Sequence, residues 1–126
     1  MENLRLTTRT RERDGLPILE VNGEIDVFTA PLFKQAVVNM VAGGNRHLFL
    51  DMSGVEFMDS SGFGTLLGAT KRLRPEGGSM HLFACSPTIE RMLHLIRLDM
   101  IVGVHADEEE AIASVQGSGS SPQVAR

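Results

Sequence analysis

The sequence contains no tryptophan and no tyrosine, and only six phenylalanines among 126 residues. Single-stranded nucleic acid is held by stacking bases on aromatic rings, so that mode of binding lacks its platform. Positive charge is also short. Twelve Lys and Arg against 16 Asp and Glu leave a formal net charge of −4, which gives no electrostatic footprint for a nucleic acid duplex. Cys85 is the single cysteine, which excludes an intramolecular disulfide and a cysteine-rich zinc site and points to a reducing, cytoplasmic setting. At the end of an apolar strand it reads as a small buried hydrophobe rather than a nucleophile. No run approaches the ~20 apolar residues of a membrane span. Arg5, Arg9, Arg11 and Arg13 interrupt the N-terminus before a signal sequence develops.

What is present is the mixture of an ordinary soluble domain, 42% apolar and 22% charged, long enough for one core and too short for two. Leu4 to Arg11 alternates imperfectly, Asp14-Gly15 signals a turn, and Leu16, Ile18, Leu19 and Val21 form a second strand, so a hairpin is predicted. Gly23-Glu24-Ile25-Asp26 leaves that strand. Thr29 is the expected cap of a first helix with Pro31 in its first turn, and Leu32, Phe33, Ala36, Val37, Met40 and Val41 make one apolar face ending at Gly43-Gly44. His47 to Asp51 is a strand buried on both faces, Met52 to Met58 a connecting turn, and a second helix starts at Ser60 and buries Phe63, Leu66, Leu67, Thr70 and Leu73.

Beyond the breaker Pro75-Glu76-Gly77-Gly78, Met80 to Ala84 is a strand, and Ser86-Pro87 starts a third helix with a stripe of Ile89, Met92, Leu93 and Ile96. Met100 to Val104 is a last strand. Asp107 to Glu110 forms a capping box on a helix packed through Ala111, Ile112 and Val115. The pattern implies a single α/β domain over residues 1–115, with a mixed β-sheet of about five strands and about four helices. Residues 116–126, rich in Gly and Ser, are an expected flexible tail. No internal repeat is visible.

Several enzymatic readings fail on spacing. Neither Ser60 nor Ser61 has a glycine two residues before it, as a hydrolase nucleophile turn requires, and no Gly-Lys-Ser/Thr follows the glycines at 62, 64 and 68. Gly62 and Gly64 are read instead as points of close approach between helix and sheet. His47, His81, His94 and His105 fall in three strands and a helix with no i, i+4 pair, which argues against a metal site. What stands out is a pair of hydroxyls behind Asp59 at the start of a helix. Unpaired N–H groups and the positive end of the dipole hold a phosphate well there, so Ser60 is a candidate phosphorylation switch. The plainer reading is that Asp59 and the serines simply cap the helix.

The segment Asp51-Met-Ser-Gly-Val-Glu-Phe-Met-Asp59-Ser60-Ser61-Gly62-Phe-Gly64, preceded by Gly23-Glu-Ile-Asp26 and followed by Ser86-Pro87, closely resembles the anti-sigma factor antagonists, the single-domain STAS proteins of bacteria. The resemblance spans roughly residues 4 to 115. It implies that an anti-sigma factor that is also an ATP-dependent serine kinase phosphorylates Ser60. The unmodified protein would bind that partner and free a sigma factor in transcription regulation, such as a stress response, and a phosphatase would reset the switch. The partner-binding surface implied by motif comprises Asp26, Thr29, Asp59, Ser60, Ser61 and Gly62. No catalytic residue, cofactor, metal or direct nucleic-acid contact is implied. Two alternatives stay open: a STAS module that holds a small anionic ligand or nucleotide at the helix N-terminus, and a constitutive scaffold module in a sensory complex.

Overall fold

Asp14 and Gly15 both take left-handed backbone, with φ 54 and 78, and reverse the chain between β1 (Leu6–Arg13) and β2 (Leu16–Ile25) as in a type I′ hairpin turn. The computed structural model describes residues 5–116, so Leu4 of the expected first strand and the expected tail beyond Gln116 lie outside the described residues. After the hairpin come α1 (Ala30–Ala42), β3 (His47–Met58), α2 (Ser60–Leu73), β4 (Ser79–Phe83), α3 (Pro87–Leu95), β5 (Gly103–His105) and α4 (Glu108–Gln116). The sheet has the order β1-β2-β3-β4-β5, antiparallel between β1 and β2 and parallel thereafter. This is the mixed α/β architecture expected of the sequence.

The core lies in two layers. Helices α1, α2 and α3 cover one face of the sheet, where Phe33, Val37, Leu50, Met52, Leu66, Leu82 and Leu93 pack together. On the other face α4 closes Ala111 and Ile112 over Ile18, Phe49 and Phe83. Beside that smaller core the Arg11 guanidinium joins Glu20 and Asp51 of the sheet to Glu108 of α4, the last at 2.8 Å. At the opposite end of the same face a chain of side chains crosses three strands. His47 Nδ1 lies 2.8 Å from Ser79 Oγ, which lies 2.7 Å from His81 Nε2, and His81 Nδ1 lies 3.0 Å from His105 Nε2. Burial holds the imidazoles of His47, His81 and His105 below their usual pKa, His81 at about 4. Among the described residues no group of three or more His, Cys, Asp or Glu could hold a metal ion.

Several boundaries differ from the sequence reading. Residues Met52 to Met58 are not a turn. They continue β3, and Gly23 to Ile25 continue β2, because Asn22 to Ile25 pair in parallel with Gly54 to Met58. Register shifts between Glu20 and Asn22 and between Gly23 and Glu24 break the alternation, so the buried side chains Met52, Val55 and Met58 fall every third residue rather than every second. β5 is shorter than expected, since Leu98–Met100 form a 3₁₀ turn. In α3 only Ile89 and Leu93 are buried, while Met92 and Ile96 are exposed. The last helix has its box shifted by one: Asp107 accepts from Glu110 N at 2.9 Å, but Glu110 returns to Ala106 N at 3.0 Å. No helix among the described residues is long and apolar enough to cross a membrane.

Candidate functional site

Parallel pairing brings the C-terminal ends of β2 and β3 side by side, and the Asp59 N–H donates to Ile25 O at 3.0 Å. The loop after β2 and the start of α2 therefore form one surface, as expected for the ends of parallel strands. Asp59 is the N-cap of α2: its backbone is extended (φ −101, ψ −170) and its Oδ1 accepts from Ser61 N at 2.8 Å. With Asp59 in that role, the serines are not needed as caps. Ser60 is the first residue of the helix and is exposed. Among the described residues no hydrogen bond holds the Ser60 hydroxyl, while Ser61 is half-buried beside it. The capping reading thus holds for Asp59 and fails for Ser60.

Gly62 lets α2 start directly over the sheet. A Cβ there would stand 2.4 Å from Met58 Cγ and 2.9 Å from Ile25 Cγ2. The close-approach reading is right for Gly62 and wrong for Gly64, where an added Cβ meets nothing within 4 Å.

Across the surface, Asp26 organises its own loop. Its Oδ1 accepts from the N–H groups of Phe28 at 2.9 Å and Thr29 at 3.0 Å, and the Arg5 guanidinium grips the carboxylate, with Nη1 2.6 Å from Oδ2. The Arg5 hydrogen bond, helped by those of Thr29 and Phe28, holds the Asp26 carboxyl down at about 2. Thr29 precedes α1 but does not cap it with its side chain. Its hydroxyl instead donates to Glu24 O at 2.7 Å and accepts from Asp26 N at 2.9 Å, closing the loop on itself.

The structure thus brings together all six residues that sequence reasoning had selected, Asp26, Thr29, Asp59, Ser60, Ser61 and Gly62. It adds others. Arg5 also bonds Glu24 at 3.0 Å, and a Cβ on Gly23 would stand 2.0 Å from Arg5 O, so the start of β1 is clamped against this loop. The loop carries Val27 and Phe28 outward, 62% and 81% exposed, and Leu32 of α1 and Phe57 at the end of β3 are half exposed. A pair of apolar residues directly after Asp26, in a segment that reads as a loop, was the signal for Val27 and Phe28. Elsewhere, burial pushes the Cys85 thiol up to about 12, which disfavours the thiolate that a nucleophile needs.

Comparison with known proteins gives a consistent outcome. The family described as STAS domain matches residues 7–111. The chain is 26% identical over 106 residues to the anti-sigma-B factor antagonist of Staphylococcus aureus, covering 84% of this chain and 98% of that protein. An anti-sigma factor antagonist from Mycobacterium paratuberculosis superposes with a TM-score of 0.81 at 33% identity, covering 88% of this chain and 94% of the other. The anti-sigma factor antagonist SpoIIAA in its unphosphorylated form gives a TM-score of 0.72 at 25% identity, with 88% and 97% covered.

Proposed function

The chain belongs to the STAS domain family, and from that premise we propose that it is a cytoplasmic anti-sigma factor antagonist, a regulatory protein rather than an enzyme, switched by phosphorylation of Ser60. The observation that carries this reading is an exposed, unbonded hydroxyl at the first position of α2, on a surface that also presents Val27, Phe28, Leu32 and Phe57 to solvent. Exposed apolar groups gathered around a polar centre are what a protein partner buries. The partner is an anti-sigma factor with serine kinase activity. It would dock on this surface and transfer the γ-phosphoryl of ATP to Ser60 Oγ: the new O–P bond replaces the bond to ADP, and the hydroxyl proton passes to a base of the kinase. The product carries about −1.5 to −2 charge in the middle of the surface, which ends binding until a phosphatase removes it.

Two features weigh against the rival of an anionic ligand at the helix N-terminus. Asp59 already accepts the Ser61 N–H, and its carboxylate stands where an anion would approach. The test is incubation with the cognate kinase and ATP, followed by intact mass and site mapping. One phosphoryl group on Ser60 is expected, and none on Ser60→Ala, which should still bind the kinase. Phosphate at a comparable rate on Ser61 of the Ser60→Ala protein would overturn the assignment.

A further inference from the structure

Outside the Ser60 surface, the imidazoles that cross the sheet beneath α4 form a chain whose hydrogens can be placed. The links run from His47 Nδ1 to Ser79 Oγ, from Ser79 Oγ to His81 Nε2, and from His81 Nδ1 to His105 Nε2. Gly103 makes room for the last pair: a Cβ there would stand 2.5 Å from His81 Nδ1 and 2.7 Å from His105 Nε2. Ser114 of α4 lies over it, with its Oγ 3.5 Å from His81 Nδ1, and donates its own hydrogen to Ala111 O at 2.7 Å. Toward His81 it can only accept. That assigns the His81 hydrogen to Nδ1, from which it points to His105 Nε2; Ser79 then donates to His81 Nε2 and accepts from His47 Nδ1. Each link carries one hydrogen, and His81 and His105 are both neutral.

A proton added to either of these rings breaks a link. On His105 it sets two N–H groups face to face across 3.0 Å, and on His81 it removes the acceptor of the Ser79 hydroxyl. His81 is only 8% exposed and stacks on Phe49 with ring centroids 5.2 Å apart, so the added charge is poorly hydrated while α4 is in place. Burial opposes a charge on all three rings. His105 and His47 add to that opposition at His81, Arg46 adds to it at His47, and Glu110 of α4 partly offsets it at His105.

The strands are fixed by their pairing, so the part that can yield is α4, which has nine residues and buries only Ala111 and Ile112. A helix of that length is marginal alone. Its first turn is fastened separately, since Glu108 bonds Arg11 and Arg13, which also hold Glu20, Asp51 and Glu109. Arg11, helped by Arg13, keeps the Glu108 carboxyl below its usual range. That fastening stays charged while imidazoles titrate, and the end free to lift is the far one.

We propose that α4 is a proton-sensitive cover: protonation of the His81–His105 pair lifts Ala111 to Gln116 off the sheet and uncovers Phe49 and Phe83, while Glu108 keeps the first turn in place. The sign follows from the docked rings, which lie below the usual 6.5, His81 at about 4. The lifted form binds more protons, so docking is complete at neutral pH and weakens as pH falls from about 6.5 to about 4. The test is amide hydrogen exchange of the full chain at pH 6 and pH 5. Protection of Ile112 to Gln116 should lie below that of β3 at both values and fall about tenfold between them. His81→Phe keeps a ring against Phe49 without the proton site, and should lose most of that fall. Glu108→Gln should lower α4 protection at both values by one factor and keep the tenfold ratio, which tests the assignment even where the His81 variant does not fold. Equal α4 protection at the two pH values would overturn the proposal. So would α4 protection equal to that of β3, or an undiminished ratio in folded His81→Phe.

Discussion

Asp26 and Asp59 are the same residue type at the two loops of one surface, and their surroundings give them different work. Asp59 spends its Oδ1 on the helix N–H two residues ahead at 2.8 Å, a local interaction that the sequence announces. Asp26 is held by a partner 21 residues away, Arg5, and no local pattern announces that contact because it depends on β1 lying antiparallel to β2. Removing the guanidinium should therefore loosen the loop and free the carboxylate together. The pH dependence has a definite sign. The folded-state value of Asp26 is lowered, to about 2 from 3.8, so its contribution to stability is present above the unfolded value and is lost as pH falls from about 4 to about 2. Arg5→Ala should melt lower than the wild type at neutral pH, and the two melting curves should converge below about pH 2. Partner affinity should fall about tenfold, because Val27 and Phe28 would have to be ordered on binding. Carboxyl chemical shifts through an acid titration check the first outcome, and curves that stay parallel to pH 2 would refute it.

Glycine in α2 separates two kinds of constraint at the level of an element. Gly62 faces Met58 and Ile25 at distances that no Cβ can occupy, while Gly64 faces open space. Gly62→Ala should destabilise by about 1–3 kcal/mol through overpacking, and Gly64→Ala should stabilise by about 0.5–1 kcal/mol through helix propensity. Urea denaturation of both variants decides it, and the same sign for the two would show that helix propensity or crowding alone governs the start of this helix. The sequence made α2 legible because Phe63, Leu66, Thr70 and Leu73 keep a helical period and Asp59 marks its start. It also showed the parallel core strand His47 to Asp51. The second half of β3 was not legible, since bulged pairing with β2 replaces the period of two. The exposed side of α3 was not legible either: its apolar residues keep a helical period, and only the placement of the sheet shows that Met92, Leu95 and Ile96 have nothing above them. Of the site, the polar residues could be read from motif and capping rules. Its apolar rim could not, because exposure of Phe57 follows from where β4 ends: pairing with β3 stops at Asp51 and Phe83.

Across the whole molecule, phosphorylation of Ser60 should end partner binding while leaving the fold nearly unchanged. At the start of α2 the helix dipole favours the phosphate and the nearby Asp59 carboxylate opposes it, each by about 0.3–1 kcal/mol at an exposed site. Asp26 adds little opposition, because its charge is already matched by Arg5. The difference between such contributions is small beside a domain stability of about 5–15 kcal/mol, and Ser60 is exposed, with Gly62 and Phe63 the first buried residues of the helix. In an interface the same phosphate loses its water and faces a surface that accepts a neutral hydroxyl among Val27, Phe28 and Phe57, so desolvation costs several kcal/mol there. Circular dichroism and melting curves of the two forms should therefore nearly coincide. Calorimetric affinity for the kinase should fall at least a hundredfold, about 2.7 kcal/mol. If phosphorylation instead shifts amides throughout the β1–β2 hairpin, the switch acts by rearranging the domain, and the local charge argument fails.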